Sequence, residues 1–440
     1  MSTAQMLSIL PLIIILVLLL PPFRFHFLLA GLVGGVAAVV IGGLNAATAS
    51  KVFLDGMGQI MTIYSVMLFA ATAMVLARCG CTGAVMDLIK NKLGDRLELV
   101  AAAMVLVQGA ASYMAGNGAA NTLVTAPLVF AAVGFNPLVV VGMSIVSGAS
   151  WATSPSSAES AYISKQMAIS VGDYASSMLP YTLALWVLGV AIAWYGARRW
   201  RLAGKLQPGV APAPSAPGLQ PPKVATMPEE EIGGKEVGTA RRALPFFIML
   251  LLILAGPPIN RLINVPLFSP VLIPLWVLVA AALLLWVNPN KLAEMFIEGG
   301  VTILRYLFAV AVFLGLINLL AEIGTFKAFA SMISIAPVTF ITVAGLLVAF
   351  LVAIPSAAYT VGIDALIIPV LSQLGVPVWA FGFVGIAVAQ GAMMSPAQIN
   401  VAATAHGFQT DIMCIVRNNA PYMPIVFIVT AAMAMLFAAR

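Results

Sequence analysis

The sequence predicts an all-α polytopic membrane protein made of two inverted repeats, each with about five spanning helices, a re-entrant hairpin and a broken helix. Two observations predict this. Apolar residues make up 62% of the 440-residue chain and charged residues 8%, where a soluble domain carries roughly 25% charged residues. The chain also repeats its landmarks at a near-constant offset. VFLDGMGQI (52–60) answers MFIEGGVTI (295–303), with Asp55-Gly56 matching Glu298-Gly299 at 243 residues (298 − 55). LARCG (76–80) answers LAEIG (320–324) at 244, and Ser154-Pro155 answers Ser395-Pro396 at 241 (395 − 154). Pro180-Tyr181 answers Pro421-Tyr422, again at 241 (421 − 180). A long internal repeat in an apolar chain is a mark of repeat-type secondary transporters.

Stretches such as 5–21, 27–44 and 60–77 are long enough to cross a ~30 Å hydrocarbon core as helices. The first lacks a basic leader and a small-residue cleavage site, so it reads as a retained helix and not a signal peptide. Cys79, Cys81 and Cys414 have no metal-type spacing and indicate no disulfide framework. The net charge of +6 sits in loops, which suits topology and argues against nucleic-acid binding.

One segment breaks the apolar pattern. APAPSAPGLQPP (211–222) and PEEEIGGKE (228–236) lie in a Pro- and charge-rich stretch, expected to be a poorly ordered linker over 203–240. It separates a first repeat, 1–202, from a second, 241–440. Each half opens with two apolar helices (5–21 and 27–45; 243–258 and 268–287). A short amphipathic piece follows (near 46–57 and 288–300), then a third span (58–78 and 301–320).

Next come two nearly charge-free regions, 97–170 and 338–410. No charge lies between Glu98 and Glu159; between Lys327 and Asp411, His406 aside, the one ionic side chain is Asp364. GNGAANT (116–122) and IPSAAYT (354–360) each sit between apolar arms, the pattern of a re-entrant hairpin. Irregular backbone at membrane depth is tolerated only inside protein or beside a wet cavity. An ordinary helix pair with a surface loop is the competing reading. After each hairpin comes an interrupted helix, SGASWATSPSSAE (147–159) and QGAMMSPAQIN (390–400). Proline lacks an amide hydrogen and crowds the carbonyl one turn back, so the pair reads as binding breaks or as simple kinks. Each half closes with a span, 174–197 and 419–438. Five crossings per half make the two halves insert with opposite orientation. An outside N-terminus puts most basic loop residues on the cytoplasmic side, among them Lys90, Arg198, Arg199 and Arg242, and leaves five outside, Lys51, Lys165, Arg261, Lys327 and Arg440. The positive-inside rule favours that arrangement, with a cytoplasmic linker and both termini outside. Trp194, Tyr195 and Trp200 beside the basic cluster fit an interfacial belt.

No catalytic set is evident: no Ser-His-Asp group, HExxH or phosphate loop, so the chain does not read as an enzyme. His26 and His406 read as loop or interface residues, with proton coupling the competing role. Short neutral polar side chains remain. Asn117, Asn121 and Thr122 lie at the first tip, and Ser147, Ser150, Thr153, Ser154 and Ser156 at the first break. Ser356, Tyr359 and Thr360 lie at the second tip, and Ser395, Gln398 and Asn400 at the second break. Hydroxyls and amides donate to carboxylates, and helix N-termini add positive potential; the same oxygens suit Na⁺. Packing and helix-carbonyl roles compete with each of these assignments. Asp364 is expensive in a bilayer and is therefore a functional residue by default, binding Na⁺ or carrying a proton. Glu159 is a weaker candidate. Arg78 and Arg305 read as snorkelling or structural pairing residues.

LIIPVLSQLGVPVWAFGFVGIAVAQGAMMSPAQINVAATA (366–405) and APLVFAAVGFNPLVVVGMSIVSGASWATSPSSAESAYI (126–163) carry a family resemblance. The chain resembles the ion transporter superfamily, and within it the large membrane subunit of TRAP dicarboxylate transporters and related carboxylate permeases. The resemblance implies elevator-type scaffold and transport domains, a homodimer, a carboxylate substrate and Na⁺ or H⁺ coupling, with no other cofactor. It also implies a bacterial inner membrane. By position, Asn117, Asn121, Thr122, Ser154, Ser356, Thr360, Ser395 and Asn400 are the implied substrate residues. Asn117, Ser150, Thr153, Asp364 and Gln398 are the candidates for cation coupling. Neither tip has the Ser-Asn-Thr signature of the sodium-dicarboxylate branch, and the second break reads SPAQ where TRAP subunits carry a double proline. The coupling ion and the need for a soluble binding protein therefore stay open. Two other readings remain: a cation/proton antiporter using Asp364, and a non-transporting membrane scaffold or assembly subunit.

Overall fold

The structure is a computed structural model and describes residues 3–19, 23, 27–61, 64–94, 96–116, 118–204, 237–263, 267–268, 271–324, 338–356 and 360–438. Nineteen helices lie among them. The first half contains α1 (Thr3–Leu19), α2 (Phe27–Gly42), α3 (Ala46–Met61), α4 (Tyr64–Arg78) and α5 (Cys81–Leu93). It continues with α6 (Leu97–Ala115), α7 (Gly118–Val133), α8 (Pro137–Thr153), α9 (Ala158–Gln166) and α10 (Val171–Leu202). The second half contains α11 (Thr239–Ile263), α12 (Leu272–Leu285), α13 (Pro289–Glu322), α14 (Val338–Ser356) and α15 (Thr360–Gln373). It ends with α16 (Ala380–Ala392), α17 (Ile399–Gly407), α18 (Ile412–Asn419) and α19 (Met423–Ala438).

By length and composition three helices can cross a membrane, over Leu97–Ala115, Val171–Leu202 and Thr239–Gly256, and up to six spans result if each bent pair counts as one. One such pair is α8 with α9, bent by 47°. There Pro155 follows Ser154, which stands in extended backbone at the end of α8. The second break runs from Met393 to Gln398, between α16 and α17. The two hairpins are α6–α7 and α14–α15. Residues 357–359 at the second tip and Asn117 at the first lie outside the described residues.

Several expectations are corrected. The first hairpin arm, α6, has 19 residues, about 28 Å of helix, the length of a full span and not of the short arm that a re-entrant hairpin calls for. The amphipathic piece and third span of the second half are one continuous helix, α13, of 34 residues; no proline lies beyond its first residue, and Gly299-Gly300 alone does not break it. Helix α5, between the third span and the first hairpin, has no place in the sequence scheme. The closing span of the second half is bent by 48° between α18 and α19, because Pro421 cannot donate to the helix ladder. Pro180 sits inside unbroken α10. Helix α11 starts at Thr239. The linker itself lies outside the described residues over 205–236.

Packing separates the helices into two groups. Helices α2, α3 and α4 pack against the long α13, with α5, α11 and α12 beside them. The hairpins, broken helices and α10 form the other group, in which α6, α8 and α10 pack mutually, α14 packs on α16, and α7 on α17. Its centre is apolar and buried: every residue of α16 is buried, as is every residue of α8 from Val139 to Thr153. Small residues allow close approach between membrane helices. At the α8–α10 crossing Gly142 faces Gly189, and a Cβ on Gly142 would stand 2.5 Å from the Gly189 carbonyl oxygen. Arg78 at the end of α4 forms an ion pair with Glu298 of α13, so Arg78 is a pairing residue. Arg198 lies 5.1 Å from the Trp194 ring centroid at the basic end of α10.

Candidate functional site

The two broken helices meet the two hairpins crosswise. Helix α7 of the first hairpin packs along α17, the far half of the second broken helix; α15 of the second hairpin packs against α9, the far half of the first. The first tip reaches the breaks through Gly116, whose φ of +62° is left-handed backbone that glycine adopts without penalty. A Cβ there would lie 2.1 Å from the Ser156 carbonyl oxygen and 2.6 Å from the Ser157 nitrogen. Gly118, two residues on, sits against the Asn400 side chain. The tip therefore touches the first break through backbone and the second through an amide.

Each break is closed by its own side chains. Ser154 donates to the Tyr113 carbonyl of α6, and its Oγ accepts from Ser156 N at 2.9 Å. Ser157 caps α9 by accepting from Ser160 N at 3.0 Å. At the second break Ser395 Oγ accepts from Ala397 N at 3.1 Å, and Gln398 caps α17. Such side-chain caps satisfy amides that the helix ladder leaves free.

Two hydrogen bonds tie each hairpin to the broken helix of the other half. Thr122 donates to Asn400 Oδ1 at 2.5 Å. Thr360, the first residue of α15, donates to Glu159 Oε1 at 2.5 Å. All four residues are buried. Thr122 Oγ1 also lies 2.8 Å from the Gly118 carbonyl; with one hydrogen to give, the hydroxyl serves its own helix or the other half, not both at once.

Behind the first tip lies a polar cluster that sequence reasoning missed. Gln108 Nε2 stands 2.6 Å from Thr122 Oγ1, 2.7 Å from Ser147 Oγ and 3.2 Å from Ser112 Oγ, and Thr125 donates to Gln108 Oε1. The signal for Gln108 was present: it is a lone primary amide within the apolar run 99–111.

The structure does not bring all the nominated residues together. Asn121 donates to the Ala111 carbonyl at 2.9 Å. Ser150 Oγ bonds the Gly109 carbonyl at 2.8 Å and accepts from Trp186 Nε1 at 2.8 Å. Thr153 pairs with Thr182 at 2.6 Å. Ser150 and Thr153 thus face α6 and α10. Ser356 ends α14, and His406 is exposed near the end of α17. Asn117, Tyr359 and His26 lie outside the described residues.

What the arrangement leaves open is more telling. Asp364 is fully buried, and neither carboxylate oxygen has a hydrogen-bond partner among the described residues. Ser156 Oγ at the first break, and Gln390 Oε1 and Asn419 Oδ1 beside the second, are also buried without partners there. Asn419 Nδ2 meanwhile takes up the Met393 carbonyl freed at the second break, at 2.8 Å, and Ser144 of α8 at 3.1 Å. No Lys or Arg is buried among the described residues. The site can offer hydroxyls, amides, freed backbone and two buried carboxylates, and no basic side chain.

No family model matches the chain, and no curated protein matches it by sequence. The fold is similar to that of a solved membrane transporter. The chain is similar to the crystal structure of the Alcanivorax borkumensis YdaH transporter, described as having an unusual topology, with a TM-score of 0.53, 14% identity and coverage of 98% of each chain. The likeness runs over nearly the whole of both chains and is one of fold.

Proposed function

We propose that the chain is a secondary active transporter of a small organic anion, a di- or other carboxylate, driven by a Na⁺ or H⁺ gradient. The observation that carries the reading is the set of buried, unpartnered oxygens on Ser156, Asp364, Gln390 and Asn419 around the two breaks, in a chain with a transporter's fold. A buried polar group left unmade costs roughly 1–3 kcal/mol, so natural proteins leave few of them without a role. Broken helices near midspan, with hairpin tips against them, are where transporters bind substrate and coupling ion. The anion is received by hydroxyls, amides and helix N-termini, Asp364 takes part in the coupling, and no organic cofactor enters.

The architecture proposed with it is a pair of inverted repeats. The crosswise bonds support this: Glu159 and Asn400 are 241 residues apart (400 − 159), the offset of Ser154 and Ser395, and their partners Thr122 and Thr360 are 238 apart (360 − 122). The two helix groups correspond to a scaffold and a moving transport domain of an elevator. Both termini lie outside a bacterial inner membrane, the 205–236 linker inside, and the working unit is a homodimer.

A second reading, a cation/proton antiporter with Asp364 as ion site, is favoured by one observation: among the described residues two carboxylates are buried near the site and no basic side chain is. Purified protein in proteoliposomes separates the two. Accumulation of a labelled dicarboxylate under an imposed Na⁺ or H⁺ gradient is expected. Exchange of Na⁺ for H⁺ with no carboxylate uptake, across a panel of carboxylates, would establish the antiporter in its place.

A further inference from the structure

We infer that Glu159 and Asp364 form a charge-sensitive latch: the second hairpin stays docked on the first broken helix while a single positive charge, a proton or Na⁺, sits between the two carboxylates. The inference rests on the reading of the hairpins as the moving parts of a transporter.

The geometry is specific. Thr360 bonds Glu159 at 2.5 Å, which fixes the start of α15 against α9. Asp364 is one helical turn further along α15, and residues four apart share a face with Cβ atoms about 5–6 Å apart. Asp364 is buried with both oxygens unpartnered among the described residues, and Glu159 is the charged group that bears on it electrostatically. The docked arm thus holds two carboxylates close together, out of water, on opposite sides of the α9–α15 contact.

Among the described residues, the other groups around them supply no balancing cation. Helix α9 adds Tyr162, and α10 adds Tyr174, whose hydroxyl donates to the Ala152 carbonyl at 3.1 Å. Helices α8, α14 and α16 contain no ionisable side chain. Lys165 of α9 and Lys51 and Asp55 of α3 are exposed. In α10, Asp173 is exposed at the first turn and accepts from Ser170, while Arg198, Arg199 and Arg201 lie at the far end. On α13, which also packs on α15, Glu298 is taken by Arg78, Lys291 and Glu294 lie in the first two turns, Glu322 ends the helix, and the side chains of Arg305 and Tyr306 lie outside the description.

Two like charges confined at this range in a low dielectric repel strongly, and one of a close carboxylate pair resists ionisation. With one positive charge between them the pair is a bridge. With none it is a wedge that drives α15 off α9. The sign follows: the docked state is favoured as pH falls or Na⁺ rises, and is lost as pH rises in the absence of Na⁺.

Hydrogen exchange of the purified full chain tests this without substrate or gradient. The reporter is the peptide opening α15, with α10 as internal control, at about pH 5.5 and about pH 8.5 in choline or Na⁺ after correction for intrinsic rates. The wild type should exchange about tenfold or more faster at the higher pH in choline. Recovery of protection by Na⁺ there identifies Na⁺ as the charge; no recovery identifies the proton. Glu159→Gln and Asp364→Asn each remove the repulsion and should stay protected in all four conditions. Thr360→Val keeps the charges and loses the bond, so it should exchange about tenfold faster at low pH. Wild-type exchange that is equal in all four conditions overturns the latch, as does lowered protection in both neutralised variants at low pH. A transporter without the latch fails this test while still accumulating substrate; a chain that carries no organic anion can pass it.

Discussion

Thr360 gives its hydroxyl hydrogen to Glu159 across 201 residues of chain, and this bond is the counterpart of the one that Thr122 gives to Asn400 across 278. In each case a threonine in the second arm of a hairpin reaches a polar residue in the first turn or two of the far half of the other broken helix. Each hairpin is thus bonded to the broken helix of the other half.

The Thr122–Asn400 bond should therefore appear as a coupling energy. Thr122→Val and Asn400→Ala should each destabilise, and the double variant should lose less than the sum of the two. A net hydrogen bond between neutral groups gives a coupling of about 0.5–1.5 kcal/mol. A double-mutant cycle from unfolding in detergent measures it; strict additivity would show that the bond contributes nothing.

Gly116→Ala tests the docking of the first tip. The left-handed backbone costs a non-glycine residue about 1–3 kcal/mol, and the new Cβ would meet backbone at Ser156 and Ser157, which cannot swing aside as a side chain can. The expected outcome is a folded protein of lowered melting temperature that no longer gains stability from carboxylate ligands. A thermal-shift series with and without ligand reads both effects.

Asn117→Ala and Ser356→Ala each remove a short polar group at a hairpin tip. A hydrogen bond to a charged ligand is worth roughly 1.5–3 kcal/mol, or about tenfold to a hundredfold in affinity. Calorimetric titration with the transported anion should show that loss with the fold retained. Unchanged affinity in both variants would move the binding site away from the tips.

Asp364→Asn should express normally and lose gradient-driven accumulation in proteoliposomes. A cation-coupled cycle cannot run without the residue that takes the charge. Uptake that flattens against pH would assign Asp364 to a proton, and loss of Na⁺-dependent thermal stabilisation would assign it to Na⁺. Full accumulation with unchanged ion dependence would reduce Asp364 to a structural role.

A single cysteine at Ser215, in a background without Cys79, Cys81 and Cys414, should resist impermeant thiol reagents in intact cells. The positive-inside rule, applied to the basic residues that flank the linker, is the ground for expecting it on the cytoplasmic side. Ready labelling from outside would overturn the orientation of both halves together.

The hairpins and breaks were legible because their signals are local. A polar tip between apolar arms, or a Ser-Pro within an apolar helix, can be read from a dozen residues. The cross-half bonds were not legible, since nothing in 116–122 names Asn400 as a partner and nothing in 354–360 names Glu159. The position of Glu159 just beyond a break does not reveal that α3, α8, α10, α15 and α16 all pack against its helix and bury it. Ser150 and Thr153 were nominated by their position near a break, but helical pitch turns them toward Trp186 and Thr182. Pro180 and Pro421 look alike in sequence, and only the second interrupts its helix.

The Gly142–Gly189 crossing bears on rate. With no side chain between them, α8 and α10 touch backbone to backbone, so any displacement of the first break carries α10 along as one body. That helix has 32 residues, about 48 Å of rod, and it presents Leu183, Val187 and Tyr195 outward. In the proposed elevator cycle each stroke would drag this length sideways through the acyl chains. Turnover would be governed by friction against the surrounding lipid, so the same protein should run slower in a stiff, ordered bilayer than in a fluid one, with its affinity unchanged.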